Sequence, residues 1–182
     1  MTMLHDLDVK CFYFINKACA HPALNFLMSW ITDLGSGEFI VIVALILLAM
    51  RKKECRLAGI LLLAGLTLSY QIVFALKHFV ARPRPFAILP GVTNILNETG
   101  FSFPSYHAVS AFMTAAVLSS LFRKHILFFG LAAAVGFSRV YFGVHFPSDV
   151  IAGAVLGTLL GYMIVYIARR AQFPSRPRSS IG

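Results

Sequence analysis

The chain has 182 residues, is 58% hydrophobic and only 13% charged, and carries a net charge of +9, with a mean hydropathy of +0.78. A soluble domain is about 45–50% apolar and about 25% charged, so these values exclude a water-soluble globule and make the bilayer the solvent. The excess of Lys and Arg would suggest nucleic acid in a soluble protein; here it clusters at the ends of apolar runs, which indicates membrane orientation and no nucleic-acid partner.

Asp6 and Asp8 precede any long apolar run, so the N-terminus does not resemble a cleaved signal peptide. Cys11, Cys19 and Cys55 fall in no metal or disulfide pattern and are expected to be free thiols. Residues His21–Asp33 read as a helix of mixed polarity (Asn25, Ser29, Trp30, Thr32), interfacial or partly inserted. The run Phe39–Met50 follows, and it spans only if Leu34–Glu38 extends it. Four further runs, Leu57–Leu76, Ser105–Phe122, Ile126–Phe146 and Val150–Ala168, are each about long enough to cross a hydrocarbon layer as a helix. The fold expected is all-α: a polytopic transmembrane helix bundle of five or six membrane helices plus an N-terminal interfacial helix. Residues 1–171 form one membrane domain, and the basic Pro/Ser/Arg-rich tail 172–182 is expected to be disordered. Gly153, Gly157 and Gly161 recur every four residues in the last span, a spacing that lets a neighbouring helix pack closely.

Alternate connections are basic: Arg51–Arg56, Arg123–His125 and the Arg169, Arg170, Arg176, Arg178 group. The positive-inside rule puts these in the cytoplasm and the connections 78–104 and 143–149 on the far face. That face collects Lys77, Arg84, Ser105, Tyr106, His107, Arg139, His145 and Asp149. A cation at membrane depth costs roughly 2.5–3.5 kcal/mol on insertion scales, which makes such a cluster a functional candidate. Arginine forks match tetrahedral oxyanions and lysine adds a point charge. Ser105, directly after Pro104, opens a helix whose free N–H groups suit phosphate oxygens. No carboxylate, His or Cys cluster has metal-ligand spacing, so neither a metal nor another cofactor is expected. Covalent catalysis by imidazole is the remaining chemistry: one histidine attacks phosphorus and the other protonates the leaving oxygen. His145 and Asp149, four residues apart, can meet on a helical turn, and the carboxylate would then orient the imidazole. His5, His21, His78 and His125 read as structural. Arg82 lies beside the cluster, where it is expected to face lipid headgroups, and Asn97-Glu98-Thr99 matches a glycosylation pattern of low specificity.

Three fragments now stand in order: Lys77-x6-Arg84-Pro85, Pro104-Ser105-Tyr106-His107 and Ser138-Arg139-x5-His145-x3-Asp149. Together they resemble the signature of the type 2 phosphatidic acid phosphatase superfamily, K-x6-R-P, P-S-G-H and S-R-x5-H-x3-D, over residues 77–149. The resemblance implies that His145 is a nucleophile forming a phosphohistidine, with Asp149 as its partner and His107 as general acid. It implies a phosphate cradle of Lys77, Arg84, Ser105 and Arg139. Tyr106 stands where the family usually has Gly, so that position is expected to bear on substrate choice. The implied protein is a metal-independent lipid phosphatase of the bacterial plasma membrane, active on the outer face. Arg84-Pro85-Phe86 and Ser102-Phe103-Pro104-Ser105 resemble the undecaprenyl-diphosphatase subgroup, which makes undecaprenyl diphosphate the expected substrate. Phosphatidylglycerophosphate, phosphatidic acid and lipid A phosphates are the alternatives. Phosphotransfer between lipids, or binding and transport without cleavage, are the rival activities.

Overall fold

The computed structural model describes residues 3–19, 21–92 and 96–172, which are helical or connecting throughout, with no strand among them. Helix α1 (Met3–Tyr13) runs into a π-helical turn, Phe14–Ala18. Helices α2 (Pro22–Asp33), α3 (Gly37–Ala49), α4 (Lys53–Val80), the single turn α5 (Pro85–Ile88), α6 (Tyr106–Phe122), α7 (His125–Tyr141) and α8 (Pro147–Gln172) follow. The expected tail beyond residue 172 lies outside the described residues.

Local chemistry sets the boundaries. His21 caps α2 by accepting from the Ala23 N–H, with Pro22 in the first turn. Ser36 caps α3 through Phe39 N, and Ser105 caps α6 through Ala108 N. Ala81 and Arg123 end α4 and α6 in the left-handed region. The apolar run Ile126–Phe146 does not stay helical to its end: α7 stops at Tyr141, and residues 142–146 turn back, with Gly143 at φ +76°. That turn carries His145.

Helix α6 is the centre of the bundle. It packs chiefly against α8, and also against α7 and α4, while α3 lies on α4 and α2 on α7. Ile40, Leu62, Val109, Met113, Val117 and Leu160 form the main core. The glycine spacing in α8 works as expected. A Cβ on Gly153 would lie 2.9 Å from Ser105 O, and one on Gly161 2.7 Å from Met113 O, so a side chain at either would push α8 off α6. Outer faces are apolar: Ile42 and Ile46 on α3, Ile60 on α4, and Ile151 and Leu159 on α8 are all exposed, as a lipid-solvated bundle requires.

By length and hydropathy, Lys53–Ile88 and Pro147–Ala171 are long enough to cross a membrane, and α2 with α3 passes the same test only as a pair bent by 57°. Helices α6 and α7 are apolar but shorter. The polarity of α2 is used internally: Asn25 accepts a 2.5 Å bond from Tyr141 Oη, and Thr32 accepts from Arg139 at 2.8 Å. Asn25 and Thr32 therefore fasten α2 to α7, Thr32 from a buried position and Asn25 from an exposed one.

Candidate active site

The site lies at the end of the bundle where α4 finishes and α6 and α8 begin. The opposite end is basic, and there Arg169 at the foot of α8 donates to Ser120 O of α6. Helix α4 delivers Lys77, the Ala81 cap turns the chain, and Arg84 then enters the interior, 4% exposed. Helix α7 delivers Arg139 from its last turn, 2% exposed, and the Phe142–Phe146 turn sets His145 beside it, also 2% exposed. Asp149, in the first turn of α8, is fully buried.

Arg84 is the hub. Its Nη1 lies 3.4 Å from His145 Nε2 and donates to Val144 O at 3.1 Å. Its Nη2 meets a Glu98 carboxylate oxygen at 3.0 Å, and the other Glu98 oxygen bonds Arg139 Nη2. Arg139 Nη1 is held by Thr32, whereas its buried Nε has no hydrogen-bond partner among the described residues. Lys77 Nζ donates to Phe101 O, and Arg84 Nε to Thr99 O and Gly100 O. All three cations thus hold residues 98–101. Those residues place one carboxylate between two guanidiniums. Burial alone would raise the Glu98 carboxyl, but the Arg139 and Arg84 guanidiniums outweigh it and hold the group below its ordinary 4.5.

His145 presents Nε2 to Arg84 and Nδ1 to Asp149 Oδ2, 3.6 Å away. Burial, and then the Arg139 and Arg84 charges, hold the imidazole well below its usual pKa, so it is neutral at physiological pH and its lone pair is available. His107 is half-buried in the first turn of α6, within electrostatic range of Arg139, Glu98, Arg84 and Lys77. Ser110, one turn on, donates its hydroxyl to Gly35 O at 2.5 Å, with His107 O 3.1 Å away, which fastens the start of α6 to the α2–α3 bend. A Cβ at Gly35 would lie 2.9 Å from His107 O, so the bend between α2 and α3 can close on α6 only with glycine there.

Six of the eight residues expected from the sequence, Lys77, Arg84, His107, Arg139, His145 and Asp149, therefore converge. Ser105 and Tyr106 are placed differently. The Ser105 hydroxyl caps α6 and its N–H donates to Asp149 O at 3.1 Å, so it ties α6 to α8. The Tyr106 ring stands edge-on to Tyr70 at 6.2 Å with its hydroxyl beside Gly37, on the α3–α4 side of the site.

Two charged residues that the sequence did not assign to the site belong to it. Glu98 was legible only as part of a glycosylation pattern. Arg82, expected to face lipid headgroups, instead turns inward and bonds Asp149 Oδ1 at 2.6 Å, Asp8 Oδ2 at 2.7 Å and Ser148 Oγ at 2.7 Å. An Arg five residues after Lys77 gives no signal in the sequence, because its partner Asp8 is more than seventy positions away. Among the described residues, no group of three or more His, Cys, Asp or Glu is arranged to hold a metal ion.

A membrane-embedded helical bundle with a cationic cradle and a buried imidazole defines the class as a lipid-phosphate hydrolase. Known proteins agree with that assignment. The family model for the PAP2 superfamily matches residues 58–173. Phosphatidylglycerophosphatase B of Bacillus subtilis is 33% identical over 82% of this chain and 79% of its own length. Undecaprenyl-diphosphatase BcrC of the same organism is 35% identical over 79% and 74%, and the lipid A 4'-phosphatase of Bacteroides thetaiotaomicron 30% identical over 92% and 79%. Two crystal structures superpose closely. LpxE of Aquifex aeolicus gives a TM-score of 0.76 at 35% identity, covering 88% of this chain and 95% of that one. The transmembrane PAP2-type phosphatidylglycerolphosphate phosphatase of Bacillus subtilis gives 0.78 at 28% identity, covering 98% and 90%. The chain belongs to the PAP2 superfamily, and it is an enzyme that hydrolyses lipid phosphates.

Proposed function

We propose that this enzyme hydrolyses undecaprenyl diphosphate through a phosphohistidine at His145. The observation that carries the chemistry is the 3.4 Å approach of His145 Nε2 to Arg84 Nη1: a phosphate gripped by that guanidinium sits against the imidazole nitrogen. His145 Nε2 attacks the terminal phosphorus, and the P–O bond to the departing lipid monophosphate breaks. His107 gives its proton to the leaving oxygen. Water, deprotonated by His107, then attacks the phosphohistidine, releasing inorganic phosphate and neutral His145. Lys77, Arg84 and Arg139 neutralise the charge that develops on the transferring group. Asp149 orients His145, and the opening N–H groups of α6, a helix that Ser105 caps, close the cradle. Tyr106, walling the α3–α4 side beside Tyr70, selects among lipid tails and headgroups.

The diphosphate is favoured by the Arg84-Pro85-Phe86 and Ser102-Phe103-Pro104-Ser105 segments and by the similarity to an undecaprenyl-diphosphatase. In this reading the bundle crosses the membrane five or six times. The basic connections at 51–56 and 123–125 are cytoplasmic, and the site opens on the outer face of a bacterial plasma membrane. Purified enzyme assayed with a chelator on a panel of undecaprenyl diphosphate, phosphatidylglycerophosphate, phosphatidic acid and lipid A phosphate should release phosphate fastest from the diphosphate. Slow turnover of the diphosphate beside fast release from another lipid would overturn the assignment.

A further inference from the structure

The side chains around Arg82 form a second layer behind the imidazole, and they reach back to the N-terminal helix. Asp149 uses its two oxygens differently. Oδ2 faces His145 and accepts the Phe146 N–H at 2.8 Å, and Oδ1 is taken by Arg82 Nη1 at 2.6 Å. The Phe146 N–H and Arg82 together fix the plane of the carboxylate. Arg82 is fixed in turn. Its Nη2 bonds Asp8 at 2.7 Å, and its guanidinium lies over the Phe146 ring with the carbon 4.0 Å from the centroid. Asp8, 9% exposed, is anchored to α8 by the Ser148 N–H at 2.9 Å and the Ser148 hydroxyl at 2.5 Å. Helix α1 is held in place below by Phe12, which is fully buried and packs on Phe146 at 5.7 Å. The chain of contacts runs Asp8, Arg82, Asp149, His145.

We infer that Asp8 and Arg82 are positioning residues, and that α1 docks on the bundle to hold the carboxylate that orients the nucleophile. Neither residue belongs to the phosphate cradle: both terminal nitrogens of Arg82 are engaged by carboxylates, one from α1 and one from α8. Their effect passes through Asp149. With Asp8 neutral, Arg82 loses one of its two carboxylates. Its charge then falls on Asp149 alone, and the geometry that aims His145 Nε2 at phosphorus loosens. Residues that orient metal ligands from behind are worth about 10–100-fold in activity, and an effect of that order is expected for this network.

This inference rests on His145 as nucleophile, and the experiment separates the two. Rapid-quench measurement of protein-bound phosphate gives a rate constant for phosphorylation that does not depend on the fraction of active enzyme, so a partly unfolded variant cannot mimic the effect. Asp8→Asn should form the phosphoenzyme about tenfold or more slowly, with KM within about twofold of wild type, and Asp8→Glu should recover most of the rate. Arg82→Lys, which keeps the charge and loses the fork, should fall between. A wild-type rate constant with only a smaller amplitude in Asp8→Asn and Arg82→Lys would make the network purely structural and overturn the inference. So would a loss expressed in KM alone. If His145→Ala still forms the phosphoenzyme, the nucleophile assignment itself fails. If His145→Ala is silent while Asp8→Asn matches wild type, only the positioning role fails.

Discussion

At the scale of single residues, the site is organised by charge balance within a small volume. Arg84 and Arg139 are almost wholly buried, and each needs an anion close by. Glu98 supplies that anion, and under the proposed mechanism a substrate phosphate would compete with it for the same guanidinium nitrogens. Glu98→Gln should therefore tighten inhibition by inorganic phosphate roughly tenfold, equivalent to about 1.4 kcal/mol. An unchanged or weaker inhibition constant would show that the carboxylate does not compete. The same variant has a pH signature. The folded-state pKa of Glu98 is depressed below 4.5, so the ionised group stabilises the fold above that pH, and the contribution is lost as pH falls through the lowered value. Melting curves should show wild type above Glu98→Gln by a constant margin from pH 7 to about 5, narrowing under about 4.5. Six site residues could be read from the sequence because each sits in a spaced fragment whose chemistry is explicit. Glu98 and Arg82 could not, since their roles depend on partners that only the fold brings near.

At the scale of helices, boundary chemistry and packing decide where the residues of the candidate site point. Ser105 illustrates how a motif residue can be right in place and different in use. It caps α6 and bonds the backbone of Asp149, so it ties together two helices that each carry a residue of the candidate site. The glycine stripe of α8 fixes their separation. Gly157 faces the Val109 carbonyl so closely that a larger residue must drive the helices apart. Overpacking of this kind costs about 1–3 kcal/mol or more. Gly157→Leu should lower the melting temperature and abolish activity together, because Asp149 and Ser105 move with α8 and α6. Full activity in a stably folded Gly157→Leu would disprove the close packing. The four long apolar runs were legible as helices from hydropathy. The early stop of α7 was not, because residues 142–146 are as apolar as the helix before them, and only Gly143 marks the turn. Helix α1 was missed for the opposite reason: its mixed polarity hides an inward face carrying Asp8 and Phe12.

At the scale of the molecule, one end of the bundle is basic and the other holds the chemistry. Mixed polarity in α2 pointed to an interfacial or partly inserted helix; in the fold its Asn25 and Thr32 bond α7, and α2 forms a bent pair with α3. Polarity in a membrane protein measures internal bonding as much as contact with water. The proposed orientation puts α1 and the site outside the cell. Cys11, an exposed thiol on α1, reports on it directly. A membrane-impermeant maleimide should label Cys11 in intact cells of a strain in which Cys19 and Cys55 are serine. Labelling only after permeabilisation would place the site in the cytoplasm.

The account as a whole depends on an imidazole that takes the phosphoryl group. Purified enzyme mixed with terminally labelled undecaprenyl diphosphate and quenched in base within milliseconds should carry base-stable, acid-labile phosphate on the peptide containing His145. The label should be absent from His145→Ala. Turnover at the wild-type rate without any protein-bound phosphate, or with the label on another residue, would contradict it.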